Sequence, residues 1–255
     1  MGTGAITSYI DVAQIVLYLF WIFFFGLIYY LIRENHREGY PMDNDRGITM
    51  EGWPRAPEPK TYLLDTGREV VVPRPDDREP ETRAERAYRS AGSPLEPVGN
   101  PLTAGVGPGA YALRPDVPDT DHHGLPKIVP LSTLPDHGVS PHDPDPRGKP
   151  LFDANGDEAG TIRDLWIDRS EMMFRYLEAE VAADGGGTRR VLVPVTFARQ
   201  RQDGVTVHAL LAGQFAGVPA PKTPGQVTFL EEEMITAYYG AGTLYAEPGR
   251  AEPLI

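Results

Sequence analysis

The alternation of apolar and polar positions divides the chain into three stretches. Between residues 12 and 32 there is no charge, and Gln14 is the only amide. At about 1.5 Å rise per residue, this run crosses a hydrocarbon core of about 30 Å as a single α-helix. Gly39 and Pro41 follow in the order that ends a helix, so the pattern predicts a span over 12–34 with a short segment, 1–11, before it. Trp21 and the four Phe of the run sit mid-span as packing surface, and Tyr29 and Tyr30 near its end are placed as interfacial anchors. A cleaved signal peptide fits poorly: the charged n-region is missing, the core is too long and no small-residue cleavage site precedes Arg33.

From about 42 to 118 periodicity is lost and proline recurs every few residues, among them Pro54, Pro57, Pro59, Pro73, Pro75 and Pro80. Only 61–64 and 69–72 have the look of short strands. A segment so long and irregular, with scattered Trp53, Tyr62, Val70, Val71 and Tyr111, is expected to lie across a partner or membrane surface.

Alternation returns from about 127 to 246. Residues 151–152 and 160–168 flank the turn Asp153-Ala154-Asn155-Gly156-Asp157, a hairpin signal. Leu165 and Ile167 share a face opposite Trp166. Residues 172–181 place Met173, Leu177, Ala179 and Val181 on one side, and 190–197 and 205–211 read as further strands. A small antiparallel barrel or sandwich closes such strands without bare edges. Residues 231–239 predict a short helix with Met234, Ile235 and Tyr238 as its apolar stripe. The fold class is therefore α+β, mainly β.

Charge orients the span. Asp11 is the only charged side chain before it, whereas Arg33, Arg37, Arg46, Arg55 and Lys60 follow, which predicts an external N-terminus and a cytoplasmic bulk. The formal net charge of −12 argues against nucleic acid as a partner. Cysteine is absent, which excludes disulfides, thiolate metal sites and cysteine nucleophiles. With 27 Gly and 26 Pro in 255 residues, long soluble helices are disfavoured.

No nucleophile–base arrangement or metalloprotease spacing occurs, so the chain is not expected to be an enzyme. Gly105-Val106-Gly107-Pro108-Gly109 follows no credible strand and opens no helix, so it reads as a loop rather than a phosphate cradle. The 153–158 turn imitates the start of a calcium loop but has Glu158 where that loop needs Gly. What remains is Asp121-His122-His123, with Asp136, His137, His142 and Asp143 downstream. Such residues are either solvated loop side chains, a proton-exchanging cluster, or ligands for a transition metal if the loop folds back on itself.

Several strings then carry a resemblance along essentially the whole length: Phe20-Trp21-Ile22-Phe23, Arg37-Glu38-Gly39-Tyr40-Pro41, Lys127-Ile128-Val129-Pro130, Asp143-Pro144-Asp145-Pro146-Arg147-Gly148, Asp164-Leu165-Trp166-Ile167-Asp168 and Ala237-Tyr238-Tyr239. In this order the chain resembles the H subunit of the photosynthetic reaction centre of purple bacteria. The resemblance implies a periplasmic N-terminus (1–11), a transmembrane helix (12–34), an irregular partner-covering segment (35–118) and a cytoplasmic PRC-barrel-like domain with a C-terminal helix (119–255). It implies a non-catalytic subunit of the inner, chromatophore-type membrane that caps the L and M subunits. Core light-harvesting antenna polypeptides, a cytochrome subunit and membrane lipids are further expected neighbours. The bacteriochlorophyll, bacteriopheophytin, quinones, non-haem iron and carotenoid would be held by partner subunits. A membrane-tethered barrel serving as adaptor of another complex is the alternative.

Carried over by position, Asp121 and His123 match a surface proton-entry and metal-inhibition site. Leu125 stands where some members have a second histidine, and the resemblance leaves open whether the neighbouring His122 substitutes for it. Asp168 and Glu171 match an interior acidic pair that relays protons toward the secondary quinone.

Overall fold

The computed structural model describes residues 4, 6, 10–43, 49–65, 67–73, 80–90 and 92–251. Arg46 and Pro75, and most of 1–9, lie outside the described residues. The chain forms two compact units, 1–77 and 78–255.

In the first unit, helix α1 runs over Val12–Asn35. Gln14, the one amide of the apolar run, belongs to a cap: the Asp11 carboxylate accepts from the Gln14 backbone N–H at 2.7 Å, and the Gln14 side chain accepts from the Asp11 N–H at 3.2 Å. The two orphan donors are thereby satisfied where the helix starts. No residue of α1 is buried within the chain, and it is long and apolar enough to cross a membrane. The aromatic residues Phe20, Trp21, Phe24 and Phe25 pack together in stacked, tilted and edge-to-face pairs with ring centroids 5.6–6.2 Å apart.

The segment after α1 is more ordered than its proline content predicts. Strand β1 (Met42–Asp43) pairs with β2 (Thr49–Met50), and β3 (Lys60–Leu63) with β4 (Glu69–Val72). A buried arginine ties the second hairpin to the helix end. Arg37 forks onto Glu34 through Nε and Nη2, at 2.8 and 3.1 Å, and its Nη1 donates to the carbonyls of Glu58 and Val72 at 2.6 and 3.1 Å. His36 Nδ1 donates to the Pro54 carbonyl at 2.5 Å while its ring stacks on Tyr40. Scattered side chains, rather than periodic strands, thus organise this stretch.

The second unit opens with β5 (Ala84–Arg86) paired to β6 (Leu95–Pro97). Strands β7 (Ile128–Pro130), β8 (Pro150–Phe152), β9 (Glu158–Asp168), β10 (Met173–Ala182), β11 (Thr188–Pro194), β12 (Ala198–Gln200) and β13 (Val205–Val207) build one seven-stranded sheet. Its order is β11-β10-β9-β8-β13-β12, with β7 also on β9. Strand β9 is the spine: β8 pairs its first half and β7 its last residues, while β10 runs along its other edge. Helix α2 (Phe229–Tyr245) packs on this sheet, with Ile235 and Tyr239 fully buried. Burying side chains of that size stabilises by roughly 1.5–3 kcal/mol each.

Three differences from the sequence expectation have physical causes. The sheet is not wholly antiparallel, since β8 and β13 run parallel, and no pairing between β11 and β12 closes it among the described residues. Met173 is exposed: a register shift between Phe174 and Tyr176 breaks the alternation there, and Tyr176 enters the core instead. Helix α2 starts at Phe229 because Thr228 caps it, its hydroxyl accepting from the Glu231 N–H at 3.1 Å and Glu231 returning to the Thr228 N–H at 2.9 Å.

The 105–109 glycine string is a packing device. A Cβ on Gly109 would stand 2.9 Å from Ala241, and one on Gly240 would run into the Pro108 carbonyl. Leu102, Ala104 and Val106 are buried beside it, so residues 101–109 belong to the second unit's core. The 153–157 stretch is a hairpin turn: Asp153 accepts from the N–H groups of Asn155, Asp157 and Ala212 at 2.8–2.9 Å, which commits both its oxygens.

Candidate functional site

The site is built from two turns. The first, 121–125, is closed by the Asp121 N–H donating to the Leu125 carbonyl at 2.8 Å, with Gly124 at φ +77°. That left-handed conformation suits glycine because it has no Cβ. Asp121 Oδ1 accepts from the N–H groups of His123 and Leu125 at 2.9 and 3.0 Å. The second turn joins β9 to β10, where Asp168 Oδ1 accepts from the N–H groups of Ser170 and Glu171 at 2.9 and 3.1 Å.

Arg169 fastens the two turns together. Its Nη2 donates to Asp121 Oδ2 at 3.1 Å and to the Pro126 carbonyl at 2.6 Å, while its own N–H donates to the Lys127 carbonyl at 2.9 Å. Lys127 in turn pairs with Asp119 at 2.9 Å. The fields of Asp168 and Glu171 reach the Lys127 ammonium, whose pKa is raised chiefly by the Asp119 bond and then by these acids, against the cost of burial. Buried Asp168, exposed Glu171 and the paired Lys127 therefore share one electrostatic neighbourhood.

The carboxyl of Asp121 is held below its usual pKa, first by the Leu125 N–H and also by the His123 N–H and the Arg169 guanidinium, with partial burial opposing them. It is a fixed anion at neutral pH. His122 and His123 are exposed, with ring centroids 3.8 Å apart. Imidazole is the side chain suited to exchange protons with bulk water near neutrality. Asp168 is buried, whereas Glu171 is exposed in this chain and sits 4.0 Å from Arg175.

Asp136, His137, His142 and Asp143 are exposed on the following segment, and among the described residues none bonds to the 121–127 turn. No group of three or more His, Cys, Asp or Glu among the described residues is arranged to hold a metal ion. A cation bound by Asp121 and His123 would have to compete with Arg169 for the carboxylate.

Sequence reasoning passed over Asp119, Lys127 and Arg169. The first two flank the Thr120–Pro126 bridge symmetrically, which places them as neighbours across the turn and is visible only once the turn is formed. Arg169 carried no local signal, because its partner lies 48 residues away.

Comparison with known families fits this arrangement. The family described as photosynthetic reaction centre, H-chain N-terminal region, matches residues 4–133, about half of the chain. The chain belongs to the reaction centre H-chain family. The PRC-barrel domain family matches residues 142–212, which hold strands β8 to β13 of the H chain's sheet. Membership makes the H chain a structural subunit of a photochemical complex, and with α1 it is a membrane-anchored protein. The boundary between the two matched regions falls just after β7, so the two site turns come one from each region.

Proposed function

We propose that this chain caps the cytoplasmic face of the pigment-binding L and M subunits and passes protons toward the secondary quinone that they hold. The N-terminus then faces the periplasm, and the cationic side of the span lies at the cytoplasmic surface of the bacterial inner membrane. Pigments, quinones and iron belong to the partner subunits, while this chain supplies titrating side chains. Supporting the reading is one contact above all, the Arg169–Asp121 bond, which ties an exposed histidine pair to the β9 end bearing Asp168 and Glu171.

In this reading His122 and His123 exchange protons with the cytoplasm. Asp121, kept anionic, fixes the turn that carries them. Asp168 and Glu171 accept the protons and hand them toward the quinone site of the partners. Proton delivery by positioned acids requires donors and acceptors within hydrogen-bond reach or one water apart. Zn²⁺ held at Asp121 and His123 would block entry, the more weakly for the leucine at 125.

The test is flash-induced proton uptake in the purified complex carrying Asp168→Asn and Glu171→Gln together. Uptake coupled to the second electron transfer should slow, while primary charge separation is unchanged. Uptake at the wild-type rate, with proton transfer shown to limit the step, rules the route out.

A further inference from the structure

A second acidic position stands behind the cluster. Glu232, in the first turn of α2, accepts a hydrogen bond from the Tyr176 hydroxyl of β10 at 2.8 Å. The other acids packed into this unit are held differently. Asp153, Asp168 and Glu231 each accept two or more backbone N–H groups, Asp164 accepts from Ser132 and the Leu165 N–H, and Glu178 from an indole and a guanidinium. Those donors stabilise carboxylates. Glu232 is partly buried and receives a single neutral phenol, a weaker brace for the carboxylate than paired N–H groups or a guanidinium.

The groups facing Glu232 connect it to the proposed proton route. From β10, Arg175 acts on it, and the same guanidinium stands 4.0 Å from Glu171. From the segment before β7 come Arg114 and Asp119, the latter being the partner of Lys127. On α2 itself Glu231 is consumed by the cap and Glu233 pairs with Arg114 at 3.4 Å. Glu232 and Glu171 thus share Arg175 as an electrostatic partner, and Glu232 and Lys127 share Asp119.

We propose that Glu232, paired with Tyr176, is a proton-storing site of this unit, loading and unloading as the charge on the Asp168–Glu171 turn changes. The inference rests on the proton route proposed above. Burial holds the Glu232 carboxyl above its usual pKa, with the Tyr176 bond, Arg175 and Arg114 opposing and Asp119 adding to the rise. The phenol is raised too, mainly by its own burial, so it stays a donor throughout. Loading is simple addition of a proton to a carboxylate oxygen and unloading its removal; no other bond changes.

The experiment uses the intact complex, with infrared difference spectra across pH and flash-induced proton counts. Wild type should show a carboxylic-acid carbonyl band that is absent from Glu232→Gln. In Tyr176→Phe the band should move to higher frequency and titrate at higher pH, because a donor to the carboxylate has gone. Glu232→Gln should take up fewer protons after the first electron reaches the quinone, while the two protons that complete quinol formation consumes stay the same. The Asp168→Asn, Glu171→Gln variant should keep the Glu232 band even where its uptake is slowed, which separates this site from the route itself. Identical carbonyl spectra in wild type and Glu232→Gln overturn the proposal, as does an unchanged proton uptake after the first electron.

Discussion

Trp166 and Glu178 meet diagonally across the β9–β10 pair, the indole N–H donating to Glu178 Oε2 at 3.0 Å while Arg190 holds Oε1 at 2.8 Å. Both the tryptophan and the glutamate are buried, so the indole has no water to turn to. Glu178→Leu should destabilise the second unit by about 1–3 kcal/mol, the cost of a buried donor left unpaired. Glu178→Gln, which keeps an acceptor, should cost less. Denaturant unfolding of the two variants checks the order; equal losses would show that the hydrogen bond is not the source.

Gly240 offers a steric test. A Cβ there would strike the Pro108 carbonyl, and backbone cannot swing aside as a side chain does. Gly240→Ala should displace residues 101–109 from α2 and cost about 1–3 kcal/mol as overpacking. Limited proteolysis reads it directly, with new cleavage in 101–109. Gly213→Ala, where an added Cβ meets nothing within 4 Å, is the control.

The apolar span and most strands of the sheet were legible because each repeats a simple period over many residues. Strand β4 falls on the residues the pattern named, and β9 on the predicted run plus two residues. The β8–β13 parallel pairing was not legible, since it joins segments more than fifty residues apart through three residues or fewer each. At the site, Asp121, His122 and His123 stood out by composition. Asp168 and Glu171 needed the family resemblance, because a strand-end turn rich in acids is ordinarily just solvated. Arg169 and Tyr176 became visible only once pairing was known, for their partners are 48 and 56 residues away in the chain.

The 121–125 turn should be acid-labile. Its carboxyl has a folded-state pKa below the unfolded one, so the stabilisation is complete above the unfolded value and is lost as pH falls through the folded value. Amide exchange at His123 and Leu125 should accelerate as the solution is acidified through that window, relative to neighbouring amides. Asp121→Asn should show fast exchange at all pH values. Exchange that follows only the intrinsic acid–base profile would mean that the carboxylate does not hold the turn.

Gly26 lies in the middle of α1, and a side chain added there meets nothing within 4 Å inside the chain. Gly26→Asp therefore reports charge rather than packing within the chain. A carboxylate at mid-bilayer costs about 2.5–3.5 kcal/mol on insertion scales. The variant should be depleted from the membrane fraction and from the purified complex, whereas Gly26→Ala should be retained. Equal membrane recovery of both would contradict a spanning role for α1.

The contact between the 101–109 glycine string and α2 also sets a timetable. The string leaves the ribosome more than a hundred residues before the helix that covers it, which at ordinary synthesis rates is on the order of ten seconds. Through that interval Leu102 and Val106 have no lid, and β8 waits for β13 as well. The membrane anchor, by contrast, is translated first and needs nothing downstream. The nascent chain is thus tethered long before its second unit can close, so a ribosome that stalls before α2 leaves an anchored but unfinished fold at the membrane surface.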